Sequence, residues 1–281
     1  LGRTINKTII RKEYVSAEKV LYELKRKLAM GETIDFISLA GSGEPTLNCR
    51  IGFLIREIKR LTDIPLSIIT NGSLLWMKEV QDALLPADLV IPSLDAGSDR
   101  LFRHVNRPHK GIKFRQMVKG ISSFVHRFKG EVWMEVLLIS GATGLVAEVK
   151  KIDSLIGQIS PARVQLNTVY RPPAEEAALP VPSDRMILLK DFFSCNVEII
   201  EGLRDREVSA AVLCNVNEED IMTLLDRRPC TARDVASGLG LNVAEAIKIL
   251  EELLDAGKID KRTTGKNLYY NSIHRDEQYR N

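Results

Sequence analysis

At 281 residues the chain is long for one compact domain and suits a large domain joined to a small one. A hydrophobic fraction of 44%, a charged fraction of 27% and a net charge of +3 are those of an ordinary globular protein, too mildly basic to indicate nucleic acid by electrostatics alone. No apolar run approaches the ~20 residues that span a bilayer. No signal peptide is visible either, so a cytoplasmic location is the default expectation.

From Ser16 onward, helix and strand patterns alternate. SAEKVLYELKRKLAMG offers Ser16 as an N-cap, an apolar stripe of Val20, Leu21, Leu24 and Leu28, and Gly31 as a stop. IDFISLA follows as a short, mostly apolar strand of the kind buried in parallel sheets. The unit then repeats: a helix near 50–61, strand LSIIT at 66–70, a helix near 75–84 and strand LVIPSL at 89–94. A helical stretch over 98–128 precedes strand EVWMEVLLI at 131–139, a helix near 146–157 and strand RVQLNT at 163–168. Five strands separated by helices predict an α/β architecture with parallel strands and right-handed crossovers. The polar and small residues that follow the strands, in GSGEP, TNGS, SLDA, ISGA and LNT, favour a barrel, whose strand ends share one rim. A doubly wound sheet would gather its ligand contacts at one switch point instead.

Beyond Thr168, YRPPAEEAALPVPSD holds four prolines and reads as a connecting arm. CNVEII at 195–200 is a candidate sixth strand, and EGLRDREVSAAVLC stays ambiguous. From about Asn217 the rhythm changes. NEEDIMTLLDRRP reads as a helix ended by Pro229, and TARDVASGLG as a second with a turn at 238–240. A third begins at Asn242, capped with Glu245 three residues on, and ends at Gly257. KIDKRTTGKNLYYNSI reads as a hairpin turning at Thr264-Gly265. Three helices and a two-stranded wing over about 65 residues resemble a winged helix-turn-helix. Its Lys248, Lys258, Lys261, Arg262 and Lys266 suit phosphates, whereas Glu245, Glu251, Glu252 and Asp255 on the third helix oppose duplex binding. Nucleic acid and protein both remain candidate partners.

Cys49, Cys195, Cys214 and Cys230 are spaced too widely for a C-x-x-C metal or redox pattern and read as free thiols. His104, His109, His126 and His274 show no i, i+4 pairing, so no metal-ligating residues are assigned. GSGEP at 41–45 lacks the further glycines of a phosphate loop, and Pro45 removes a backbone donor. G-x-S-x-G, the mark of a hydrolase elbow, is absent. The stretch supplies acceptors instead: strand-end carbonyls and the Glu44 carboxylate, suited to an ammonium group.

GSGEP resembles the GGEP motif of radical S-adenosylmethionine (radical SAM) enzymes, with serine in place of the second glycine. The resemblance continues in order through TNGS at 70–73, SLDA at 93–96, Glu135 in the next strand, and Gln165 and Asn167 in the one after. It spans roughly residues 1–175 and implies a partial (β/α)6 barrel. On this resemblance Gly41, Ser42, Gly43 and Glu44 hold the methionine end of the cofactor. Thr70, Asn71, Ser93 and Asp95 lie near the ribose or the substrate, and Glu135 and Asn167 complete the set. The bland readings are an ordinary turn for Thr70-Asn71-Gly72 and strand-end caps for Ser93 and Asp95. No catalytic residue is assigned.

The departure from the family is the C-x-x-x-C-x-x-C segment that binds its [4Fe-4S] cluster after the first strand. Neither the segment nor that strand is found here, and the chain opens LGRT without an initiator methionine. In close relatives a segment resembling QLGRT follows the third cysteine, so the expectation is a sequence cut just after the cluster loop. The competing account is a pseudo-enzyme. The resemblance implies S-adenosylmethionine, a cluster whose ligands lie outside this chain, and an electron donor such as ferredoxin or flavodoxin. SLDAG followed by NRPH at 106–109 is also similar to wyosine-type tRNA-modifying enzymes, which makes RNA a candidate substrate; Arg107 and Arg171 are candidates for an anionic one. The expected organisation is a barrel missing its first strand over 1–175, a connecting region over 176–214 and a winged helix over 215–281. The alternatives from another class are a ligand-sensing transcriptional regulator and a scaffold.

Overall fold

The structure is a computed structural model describing residues 6–31, 33–41, 43–170, 173, 175, 177–200, 218–239, 241–264 and 267–273. These residues divide between a first unit, drawn from 3–169 and 175–200, and a second, drawn from 170–174 and 201–281.

The first unit runs α1 (Ala17–Leu28), β1 (Ile37–Leu39), α2 (Ile51–Leu61), β2 (Leu66–Thr70), α3 (Lys78–Leu84) and β3 (Leu89–Pro92). It continues with α4 (Asp99–Val105), α5 (Phe114–Arg127), β4 (Glu131–Leu138), α6 (Val146–Ile159), β5 (Arg163–Thr168), α7 (Ser183–Lys190) and β6 (Val197–Ile199). Ser16 caps α1 as expected, its side chain accepting from Lys19 N at 3.2 Å. Gly31 stops the chain beyond that helix at φ 72°, where a Cβ is disfavoured.

All six strands are parallel, and each pairs with its neighbour in sequence, in the order β1-β2-β3-β4-β5-β6. A doubly wound sheet reverses direction somewhere in its order, and this sheet does not. The barrel-like arrangement follows, with β6 as the anticipated sixth strand. Burial alternates along the longer strands. Val132, Met134, Val136 and Leu138 of β4 and Val164, Leu166 and Thr168 of β5 are buried, while Trp133, Glu135, Leu137, Gln165 and Asn167 are half-buried. The first set faces a core with Ile55, Ile58, Leu66, Ile68, Ile121 and Phe124. The second set lines the sheet's opposite, inner face.

Two expectations need correction. The helical stretch over 98–128 is two helices, because Pro108 and Gly111 interrupt it and leave a loop over 106–113. The segment after the proline-rich arm contains α7, which the sequence reading passed over. Only Met186 and Leu189 of α7 are buried, and its apolar stripe is correspondingly narrow.

The second unit comprises α8 (Glu218–Arg227), α9 (Ala232–Leu239), α10 (Val243–Asp255) and an antiparallel hairpin of β7 (Ile259–Thr264) and β8 (Asn267–Ser272). Its own core includes Ile221, Leu225, Val235, Leu250, Leu253 and Tyr270. Asn242 caps α10, accepting from Glu245 N at 2.8 Å. The ambiguous stretch EGLRDREVSAAVLC lies outside the described residues, as do Gly265 and Lys266 at the hairpin turn.

Candidate functional site

The loop after β1 is built around Glu44. Glu44 is the N-cap of a short 3-10 turn over Pro45–Leu47, and Pro45 is suited to the first position because its missing N–H would have had no partner there. The Glu44 carboxylate takes four hydrogen bonds. Oε1 accepts from Thr46 N at 3.0 Å, Thr46 Oγ1 at 2.5 Å and Thr70 Oγ1 at 2.5 Å; Oε2 accepts from Asn71 N at 2.7 Å. Two strand ends are thereby tied together by one side chain. Thr70 is 2% exposed, and its hydroxyl also accepts from Gly72 N at 3.1 Å. Asn71 Oδ1 accepts from Ser73 N at 2.9 Å, closing the turn. Gly41 and Gly43 are exposed; a Cβ on Gly41 would come within 3.1 Å of the Gly43 carbonyl, whereas Gly43 faces open space. Ser42 lies outside the described residues.

A second network begins one strand over. Ser93 N donates to Thr70 O at 3.0 Å, which joins the two networks. Ser93 Oγ donates to Glu135 Oε2 at 3.3 Å, and Asn167 Nδ2 donates to Glu135 Oε1 at 3.1 Å. Asp95 accepts from Leu137 N at 3.0 Å through Oδ1 and from Asn106 Nδ2 at 2.6 Å through Oδ2. The described residues of the expected set, from Gly41 to Asn167, thus follow one arc along the C-terminal strand ends and the inner face. Asn106 and Thr46 complete the arc and were not singled out beforehand. Thr46 had a signal in its position two residues after Glu44; Asn106 opens the NRPH stretch at 106–109, where only Arg107 was given a role.

Burial raises the Asp95 carboxyl to about 6; the hydrogen bonds from Leu137 N and Asn106 act against this, and the Glu135 charge adds to it. A carboxyl with a raised folded-state pKa binds its proton more tightly when folded than the unfolded value near 3.9 allows. Between about pH 4 and 6 the folded chain therefore holds more protons, and stability falls as pH rises through that window. Asp82, Asp88 and Glu18 are shifted downward, so their contributions change sign and act at lower pH. The measurement is therefore a difference. In urea titrations from pH 4 to 6.5, the wild type should lose on the order of 2 kcal/mol more than Asp95→Asn. Parallel profiles would contradict the assignment.

The described residues do not fit an iron–sulfur cluster. Among them no three histidines, cysteines, aspartates or glutamates group as metal ligands. Cys49 is exposed, Cys195 half-buried, and Cys230 buried in the second unit. Burial first, and the Asp153 charge second, push the Cys195 thiol above its usual value, away from thiolate character. The strand-end arc does fit a ligand with positive centres and hydroxyls, since Glu44, Asp95 and Glu135 are all carboxylates. Two surface depressions of about 510 and 610 Å³ lie elsewhere, beside Met77 and Asp82 and beside Trp76 and Lys119, and contain no residue of the arc. Among the described residues no helix is long and apolar enough to cross a membrane.

Comparison with known proteins gives a consistent picture. The sequence profile "Radical SAM superfamily" matches residues 4–148. A "UPF0026 protein" of Helicobacter pylori strain J99 is 30% identical over 92% of the chain and 82% of its own length. "UPF0026 protein MJ1312" of Methanocaldococcus jannaschii is 28% identical over 97% of the chain and 86% of its own length. A longer protein of Brachyspira hyodysenteriae named "GTPase Obg" is 38% identical over 96% of the chain, which spans 40% of that relative's length. Among solved structures, a radical SAM methyltransferase from Sphaerobacter thermophilus covers 66% of the chain and is itself covered over 56%. It aligns at TM-score 0.53 and 16% identity. Streptococcus suis SuiB bound to S-adenosylmethionine covers 72% and is covered over 46%, at TM-score 0.52 and 15% identity. Both likenesses are of fold.

Proposed function

The chain belongs to the radical SAM superfamily and to the UPF0026 family, and from that premise we propose that its first unit binds S-adenosylmethionine along the strand-end arc and modifies a substrate held over the inner face. The observation that carries this reading is the continuity of the arc: Glu44, Thr70, Ser93, Glu135 and Asn167 are joined by hydrogen bonds across four strands. A ligand with an ammonium, a sulfonium and a ribose needs charge-complementary acceptors spread over such a span.

In this reading Glu44 acts from beneath. Its oxygens are engaged by Thr46, Thr70 and Asn71, so it shapes the loop and supplies negative charge while the exposed carbonyls of Gly41 and Gly43 meet the ammonium group. Ser93, Glu135 and Asn167 offer hydroxyl, carboxylate and amide groups to the ribose. Asp95 fixes the end of β4 through Leu137 N. When bound, S-adenosylmethionine would supply the carbon-radical chemistry of the superfamily, at the cost of one electron delivered to it from outside. The [4Fe-4S] cluster that delivers this electron is assigned to ligands outside the described residues, and its reduction to a donor such as ferredoxin or flavodoxin. The finer reading is an RNA-modifying enzyme, supported by the SLDAG and NRPH resemblance, with the second unit as a winged helix contacting nucleic acid or protein.

The test is equilibrium dialysis of S-adenosylmethionine with the full chain. Saturable binding that Asn167→Ala and Ser93→Ala weaken supports the reading. Absence of binding up to about 1 mM, no better than about −4 kcal/mol, would overturn it.

A further inference from the structure

The segment before α1 grips the loop that carries Glu44. Lys12 N donates to Leu47 O at 3.1 Å, and Cys49 N donates to Lys12 O at 3.1 Å, so Lys12 and Asn48 form a parallel bridge. Arg11 extends the contact with its side chain. Its Nε donates to Thr46 O at 2.9 Å, Nη2 reaches Asn48 O at 3.5 Å, and Nη1 meets Glu79 Oε1 at 3.1 Å. Two residues earlier, Ile9 packs against Gly111, where a Cβ would stand 2.9 Å from Ile9 Cδ1. The segment is thus fixed beside the Glu44 loop and also beside the loop whose Asn106 holds Asp95.

The Glu79 pair does not explain an arginine at this position. The Arg11 side chain is 13% exposed but that of Glu79 is 67% exposed, and pairs with so solvated a partner contribute little. The carbonyl contacts explain more. Thr46 is 1% exposed and stands between Arg11 and Glu44: its O accepts from Arg11 Nε, while its N and Oγ1 donate to Glu44 Oε1. Bonds linked in this way polarise and orient one another. A planar guanidinium reaching two carbonyls of one turn also fixes that turn in rotation, which a single contact does not. Glu44 passes the constraint on, since its other bonds come from Thr70 Oγ1 and Asn71 N at the next strand end.

We propose that Arg11 is a positioning residue for S-adenosylmethionine, holding the Glu44 loop in its binding geometry through Thr46; this rests on the cofactor site of the preceding reading. Arg11 itself makes no contact with the ligand. It sets where the loop carbonyls stand.

The test is equilibrium dialysis of S-adenosylmethionine with the full chain as wild type, Arg11→Met, Arg11→Lys, Glu79→Gln, Glu44→Gln and the double variant Arg11→Met with Glu44→Gln. Arg11→Met should weaken binding about tenfold. Arg11→Lys keeps the charge without the fork and should bind about threefold more weakly than wild type. Glu79→Gln should bind as wild type does. Because Arg11 acts through Glu44, adding Arg11→Met to Glu44→Gln should cost at most about threefold, where independent sites would add about tenfold. Hydrogen exchange follows the same route without ligand: Asn71 N–H should exchange at least about fivefold faster in Arg11→Met, with the β5 amides unchanged. A merely structural arginine would speed exchange in β5 as well. Wild-type affinity in folded Arg11→Met, an additive loss in the double variant, or a Glu79→Gln loss equal to that of Arg11→Met overturns the proposal. Thermal melts check folding, and if Arg11→Met does not fold, wild-type affinity in Arg11→Lys overturns it instead. A wild type that binds no S-adenosylmethionine fails the preceding reading, whereas binding indifferent to Arg11 fails this proposal alone.

Discussion

Replacing Glu44 with glutamine should lower S-adenosylmethionine affinity at least about tenfold and destabilise the first unit by about 2–3 kcal/mol. The carboxylate accepts four hydrogen bonds, three of them on Oε1, from two strand ends. Glutamine turns one acceptor oxygen into a donor. Either Asn71 N then faces an N–H, or the crowded donors around Thr46 and Thr70 do, and no rotation of the amide satisfies both. Bonds to a charged acceptor are the stronger kind, and a buried donor left without a partner costs more than a bond not made. Thr70→Val removes one donor to Glu44 and the acceptor of Gly72 N, and should cost about 1–3 kcal/mol. Urea unfolding and dialysis measure the two effects separately. Equal affinity in wild type and Glu44→Gln would remove Glu44 from the site.

Gly120→Ala should destabilise the chain by about 3 kcal/mol or more, although alanine is the better helix former by about 1 kcal/mol. Gly120 lies within α5 against the turn after β2. A Cβ there would stand 2.4 Å from Trp76 N, 2.5 Å from Trp76 Cα and 2.7 Å from the Leu75 carbonyl carbon. All three are backbone atoms, so no rotamer change relieves the clash; the turn itself must move, and that turn begins at Asn71. Gly157 of α6 provides the control. Nothing lies within 4 Å of its missing Cβ, and Gly157→Ala should stabilise by up to about 1 kcal/mol. Opposite signs for the two substitutions in thermal melts are the expected result.

Much of the frame was legible because its signals are local. LSIIT and RVQLNT became β2 and β5 at the expected residues, since each is a compact run of strand formers between helical patterns. Asn242 and Glu245 announced a helix start by spacing alone. Where the pattern was thin, the reading failed. In α7, Ile187 and Leu188 are exposed beside buried Met186 and Leu189, so its apolar residues mark no clean stripe. The break between α4 and α5 did have signals, in Pro108 and Gly111, but the apolar residues on both sides outweighed them.

The arc shows the same division. The resemblance to radical SAM enzymes picked out Glu44, Ser93, Asp95, Glu135 and Asn167. Their partners did not follow, because hydrogen bonds such as Glu44 to Thr70 or Asp95 to Leu137 join residues 26 and 42 apart in sequence. Nor could spacing reveal that the Glu44 oxygens turn inward to their own loop. Arg107 was noticed for its charge, whereas its positive φ of 45° is a property of the folded backbone alone.

The sheet's strand lengths bear on a different hazard. The outermost strands, β1 and β6, have three residues each, while β4 near the centre has eight. A sheet edge is a template for a stray strand, and the tendency to aggregate grows with the length of ladder on offer. Among the described residues, tapering toward both margins leaves only a few peptide groups at either edge of the sheet, too short a ladder for a neighbouring chain to register on. The inner face can stay open for a ligand without the sheet becoming a seed for its own polymerisation.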